Sequence, residues 1–248
     1  MKHEKRIDDH MRYFANKIED ITDLAKGNSA NTSVHTFQKL LLVSLLDALS
    51  MTRFGNKMGN RERFIAFMEQ FGNWGEGKRL SIPHLSIALV LDRSSDLKDL
   101  RDYVWGRWGS WKKGRIVFLD QDLELADFTS KIPQGVAATI DEQPIERYNH
   151  YNLLYKMRNA LIHELRQLGY GMEFAEYEVP YYHSMSKIDD LEGEDATWEL
   201  VYPLGFLVSL TKTAVGNFEK HLKETDSNPD EHFRFGTYYF NKMNPKSL

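Results

Sequence analysis

The 248 residues carry 32 Lys and Arg against 36 Asp and Glu, a formal net charge of −4, with 42% hydrophobic and 27% charged residues. This balance predicts a packed core rather than disorder, and the net acidity excludes a surface coated in positive charge, though not a local basic site on an acidic body. The lack of cysteine excludes disulfides, thiolate zinc sites and a cysteine nucleophile.

Glu4 to Leu24 is charged with spaced apolar residues (Ile7, Met11, Phe14, Ile18, Ile21), the pattern of an amphipathic helix. Gly27 to Ser33 is a run of small polar residues and reads as a loop. Thr36 to Phe54 is a strongly apolar helix stopped by Gly55, and Arg61 to Phe71 a short amphipathic one closed by Gly72. Gly72 to Arg79 is glycine-rich and loop-like. Ser81 and Pro83 mark a helix start that Leu85 to Leu91 continue. Asp96 to Trp111 is helical and aromatic-rich, Arg115 to Leu119 suits a strand, and Asp120 to Pro144 has no clear period. Pro144 to Leu168 reads as one long helix ending at Gly169. Glu173 to His183 and Thr197 to Tyr202 form an expected hairpin around the acidic loop Asp189 to Asp195. Pro203 starts a last helix to about Glu224, with Leu204, Leu207, Thr211, Ala214, Val215, Phe218 and Leu222 on its buried stripe. Residues from Pro229 on pack as a tail. The expected fold class is mainly α, one helical domain over residues 1–248 with a small β-hairpin inserted near 173–202.

No apolar run approaches the ~20 residues of a membrane-spanning helix, and residues 1–10 lack the apolar core of a signal peptide. A cytoplasmic protein is the natural expectation. Phosphate-binding loops are excluded, since Gly75-Glu76-Gly77 lacks the third glycine and a preceding strand. His163-Glu164 opens like a zinc protease motif, but the second histidine would fall at Gln167. The histidines have no metal-ligand spacing, so neither a metal nor another cofactor is expected.

The helix around Arg158 carries the chemistry. At about 100° per residue, Leu154, Met157, Leu161, Leu165 and Leu168 fall on one stripe, the expected core face. Tyr155, Asn159, His163 and Arg166 lie opposite, within about 80°. Arg158, followed by Asn159 and then by His163, resembles the R-x4-to-6-H motif of the HEPN superfamily of helical proteins. The neighbours also resemble that family: a mostly helical chain, a long motif helix and a final helix behind it.

The resemblance implies a HEPN-like bundle and a metal-independent endoribonuclease, of the kind that acts as a toxin or in phage defence. RNA is then the substrate, and a second copy of the chain the partner across the motif helix. An antitoxin or defence protein would be a further partner. An imidazole can take a proton from the ribose 2′-OH or give one to the leaving oxygen, and a guanidinium can grip phosphate. Asn159 would orient either the histidine or the phosphate. Five residues span about 140° of helix, so Arg158 and His163 do not sit side by side. A dimer along this helix would put two copies of each in one cleft. The other reading is a non-catalytic HEPN-like module that binds a nucleotide or a protein, with His163 simply solvated.

Supporting residues follow. Asp47, alone in the apolar helix, either pairs with Arg158 or lies partly exposed on a polar stripe. Tyr155 and Arg166 share the face of His163. Tyr148, His150 and Tyr151 precede the motif and are candidates to line the same cleft. Trp105, Trp108 and Trp111 recur every three residues among Arg101, Arg107, Lys112, Lys113 and Arg115. They either stack RNA bases between phosphate-holding cations or pack in the core.

Overall fold

The computed structural model describes residues 2–24, 32–92, 94–136, 138–186 and 196–232. Its mainly helical chain opens with α1 (Glu4–Asp23), which buries Ile7, Met11, Phe14, Ile18 and Ile21 at the spacing read from the sequence. Helix α2 (Thr32–Phe54) begins four residues before Thr36 and so includes Thr32 and Ser33 of the expected loop; residues 27–31 of that loop lie outside the described residues. Gly55, at φ +61°, ends it. Helix α3 (Asn60–Phe71) and a 3-10 turn (Gly75–Lys78) lead to α4 (Ile82–Leu91), with Pro83 in its first turn, and to α5 (Lys98–Gly109).

Strand β1 (Val117–Phe118) falls inside the segment expected as a strand. The aperiodic stretch after it holds the short helix α6 (Leu125–Thr129) and a tight pair, β2 (Thr139–Ile140) with β3 (Gln143–Pro144). Pro144 therefore sits in a strand, not at a helix start. A 3-10 turn (Ile145–Tyr148) follows, and helix α7 (His150–Glu164) starts behind Asn149, whose side chain accepts the Asn152 N–H at 3.0 Å. The helix ends early as well, because Leu165 turns left-handed at φ +54°.

The hairpin is β4 (Tyr181–Ser186) with β5 (Ala196–Val201), in register from Tyr181 opposite Val201 to Ser186 opposite Ala196. Only the last three residues of Glu173–His183 join β4, and the acidic loop lies outside the described residues. Strand β1 pairs with β4, so the hairpin belongs to a three-stranded antiparallel sheet of order β1-β4-β5 and is not a free-standing insert. Helix α8 (Leu204–Thr225) buries the predicted stripe, apart from a half-buried Leu204. Of the tail, residues 233–248 lie outside the described residues.

Two buried clusters result. In the larger, α1, α2, α3, α7 and α8 meet through residues such as Phe14, Leu46, Leu154, Leu161 and Leu207, with a Phe67–Phe71–Phe218 aromatic core. In the smaller, α4 and α5 enclose Phe128, Ile140, Ile145 and Tyr148. Among the described residues, no helix is long and apolar enough to cross a membrane.

Candidate active site

Helix α7 lies between α2 and α3 on one side and strand β5 on the other, and each neighbour fixes part of its surface. Leu154, Met157 and Leu161 point into the larger core as expected. Leu165 and Leu168 do not: they are 63% and 41% exposed, because the left-handed turn at Leu165 takes the chain off the helical wheel. Arg166 leaves the face for the same reason and pairs with Glu164 at 2.6 Å.

Arg158 is buried and anchored. Its Nη2 donates to Asp47 Oδ2 at 2.6 Å, the pairing anticipated from the lone carboxylate in α2, and its Nη1 donates to Asn159 Oδ1 at 2.9 Å. The guanidinium also lies 5.6 Å from the centre of the Tyr155 ring, which packs on Phe64 of α3. Asp47 Oδ1 faces a second arginine, Arg63, at 3.8 Å. Arg63 is itself buried and donates to Ser50 Oγ at 3.2 Å. Two guanidiniums thus share one carboxyl group, while on α7 Asn159 is half-buried and His163 exposed. Asn159 thus orients Arg158, which is neither of the roles foreseen for it, and the His163 imidazole stands exposed to solvent.

Other candidates are scattered. Tyr148, His150 and Tyr151 are buried and do not line the His163 face: Tyr151 donates to the Trp74 carbonyl at 3.0 Å, and Tyr148 to that of Ile140 at 3.3 Å. Tyr148 lies in the turn before α7, and His150 and Tyr151 are buried in the first turn of the helix. The tryptophans split three ways. Trp105 is 48% exposed, Trp108 packs on the smaller core, and Trp111 lies past the end of α5 against Tyr182 and Trp198, with ring centres at 5.1 and 5.2 Å. Arg101 and Arg107 are tied to backbone carbonyls of Leu89, Asp92 and Gln121, while Lys112 and Lys113 are exposed.

Sequence reasoning missed a buried polar network. The Asp122 carboxyl group accepts from the Ile82 N–H at 2.8 Å and lies 2.7 Å from His150 Nε2 and 2.8 Å from the Tyr182 hydroxyl. Tyr202 reaches His150 Nδ1 at 3.1 Å, and Tyr182 continues through Ser81 Oγ at 2.7 Å to His84 Nδ1, another 2.7 Å on. His84 lines a cavity of about 150 Å³ between α7 and β5, bounded also by Lys156, Met157, Leu168, Trp198 and Tyr202. Burial, with His150 and Lys156 adding to it, lowers the His84 pKa to about 4. These residues come from five separate segments, so no spacing rule could have gathered them. Among the described residues, no group of three or more His, Asp or Glu is placed to hold a metal ion.

The chain was compared with protein-family models, curated proteins and solved structures, and none matches it.

Proposed function

We propose that this chain is a metal-independent endoribonuclease of HEPN type, working as a dimer that shares one cleft along α7. The observation that carries the reading is an Arg158 held between Asp47 and Asn159 on the same helix that exposes His163. In this mechanism His163 of one copy removes the proton from a ribose 2′-OH as that oxygen attacks the adjacent phosphorus. The bond to the 5′-oxygen breaks, and His163 of the second copy returns a proton to it. The products are a 2′,3′-cyclic phosphate and a 5′-hydroxyl end. Arg158 and Arg63, balanced by one carboxyl group, place positive potential under the phosphate as its charge grows. The activity fits a toxin or phage-defence effector in the cytoplasm, where an antitoxin or defence protein would hold it in check.

The rival reading is a non-catalytic module that binds a nucleotide or a protein. It draws on the same contacts, because both Nη atoms of Arg158 are committed to internal partners.

Cleavage of a short RNA should persist in EDTA and stop when the 2′-OH at the cut site is replaced by hydrogen. Cutting of an all-DNA strand, or full inhibition by EDTA, would exclude this chemistry. A chain that stays monomeric at high concentration with RNA present would exclude the shared cleft.

A further inference from the structure

Three cations gather around the first half of α7, on the N-terminal side of Arg158. Arg61 of α3 donates through Nε, at 2.8 Å, and through Nη2 to Asn152 Oδ1. Asn152 is fixed in turn by its Nδ2, which donates to the Glu146 carbonyl at 2.8 Å and to Asn149 Oδ1 at 2.9 Å. Arg147, in the 3-10 turn before α7, has its Nε buried with no hydrogen-bond partner. Lys156 is exposed. Among the described residues neither Arg147 nor Lys156 has an acidic partner, and Arg61 has only Glu62 at 4.0 Å.

The three charges feel one another. Burial lowers the Lys156 pKa, and Arg147 and then Arg61 lower it further. Burial and then Arg147 lower that of Arg61. Folding thus brings three cations together, with one loosely held acid, in a chain whose acids outnumber its bases. Their mutual repulsion would be relieved by a bound anion.

Helical geometry ties the cluster to the motif. Asn152, Lys156, Asn159 and His163 are spaced by four, three and four residues, so they occupy one sector of about 60°. Lys156 and His163 point within about 20° of each other and stand roughly 10.5 Å apart along the axis. A nucleic acid strand covers that length in about three nucleotides at ~3.4 Å each, and in fewer when extended.

We propose that Arg61, Arg147 and Lys156 form a phosphate-binding subsite that grips the backbone of single-stranded RNA a few nucleotides from the phosphate presented to His163. The placement of a second phosphate at His163 rests on the ribonuclease reading; the binding of a phosphate by the cluster does not. Guanidinium and ammonium groups suit phosphate oxygens through charge-assisted hydrogen bonds.

The test is binding of a labelled single-stranded RNA by fluorescence anisotropy, in a His163→Ala background that removes the proposed cutting. Lys156→Gln and Arg147→Gln are compared singly and together, with thermal melts to verify folding. Arg61 is left intact because it supports Asn152. Each single variant should weaken binding on the order of tenfold and lower the slope of log K against log salt by roughly 0.7. Lys156→Arg should restore both. Unchanged affinity and slope in the double variant would overturn the subsite, as would no RNA binding by the parent chain. Inorganic phosphate bound as tightly as the RNA would assign the site to free anions and overturn the strand-binding role. If the variants lose binding but the chain with His163 intact cuts no RNA, the subsite stands and the ribonuclease reading fails.

Discussion

Asp47 offers one carboxyl group to two buried arginines, and the geometry ranks them: 2.6 Å to Arg158 against 3.8 Å to Arg63. A buried guanidinium that loses its partner is costly, so Arg158 depends on Asp47 more than an exposed arginine would. Asp47→Ala and Arg158→Ala should therefore be coupled by at least ~0.5 kcal/mol in a double-mutant cycle of urea unfolding. Additive effects would mean that Asp47 serves Arg63 instead. The sequence offered this pair as one of two readings, since a lone carboxylate in an apolar helix needs either a partner or access to solvent. The second arginine was not legible, since Arg63 lies in a separate amphipathic helix whose charged residues read as solvated. The buried Lys39, paired with Glu173 at 2.6 Å, was hidden because a lysine near the start of a helix reads as solvated and its partner lies in a distant segment.

At the scale of elements, α7 was found but its limits were not. Leucine periodicity continues past Leu161 in the sequence, yet the backbone leaves the helix at Leu165, and Leu165 and Leu168 turn outward. The segment beyond is held by tertiary contacts, Lys39 to Gln167 at 3.0 Å and the Met172 N–H to His183 at 2.8 Å, which no local pattern reports. The start was misplaced because Pro144 suits a first helical turn as well as an edge strand, and a tertiary bond from the His150 N–H to the Arg79 carbonyl, 3.2 Å, decided between them. That junction is tight. A Cβ on Gly77, in the 3-10 turn before Arg79, would collide with the Tyr151 ring of α7. Gly77→Ala should destabilise the fold by about 1–3 kcal/mol in denaturant titrations. A change below a few tenths would mean that this turn does not brace α7.

Across the whole molecule, the Asp122–His150–Tyr182–Tyr202 network spans the two cores, tied to α4 through Ser81 and Ile82 and extended to His84 at the α7–β5 cavity. The helical class, the three-stranded sheet's hairpin and the last helix follow from periodicity, whereas this joint depends on contacts between distant segments. It carries a pH signature. His84 titrates near its ordinary 6.5 when unfolded and at about 4 when folded, so the unfolded chain takes up the proton first. Its contribution is complete above pH ~6.5 and is lost as pH falls towards 4. His10, also lowered by burial, acts in the same direction, so the comparison must be with a variant. His84→Gln should flatten this limb of the stability profile by on the order of 2 kcal/mol, after allowance for partial solvent access. An unchanged profile would remove His84 from the account.

The central claim, that His163 cuts RNA, meets its plainest trial when purified protein and His163→Ala are each incubated with total RNA in EDTA. The account predicts fragments ending in 2′,3′-cyclic phosphate from the parent chain, and a rate at least ~10²-fold lower from the variant although it is folded. Equal cleavage by the two proteins, or none by either, would contradict it.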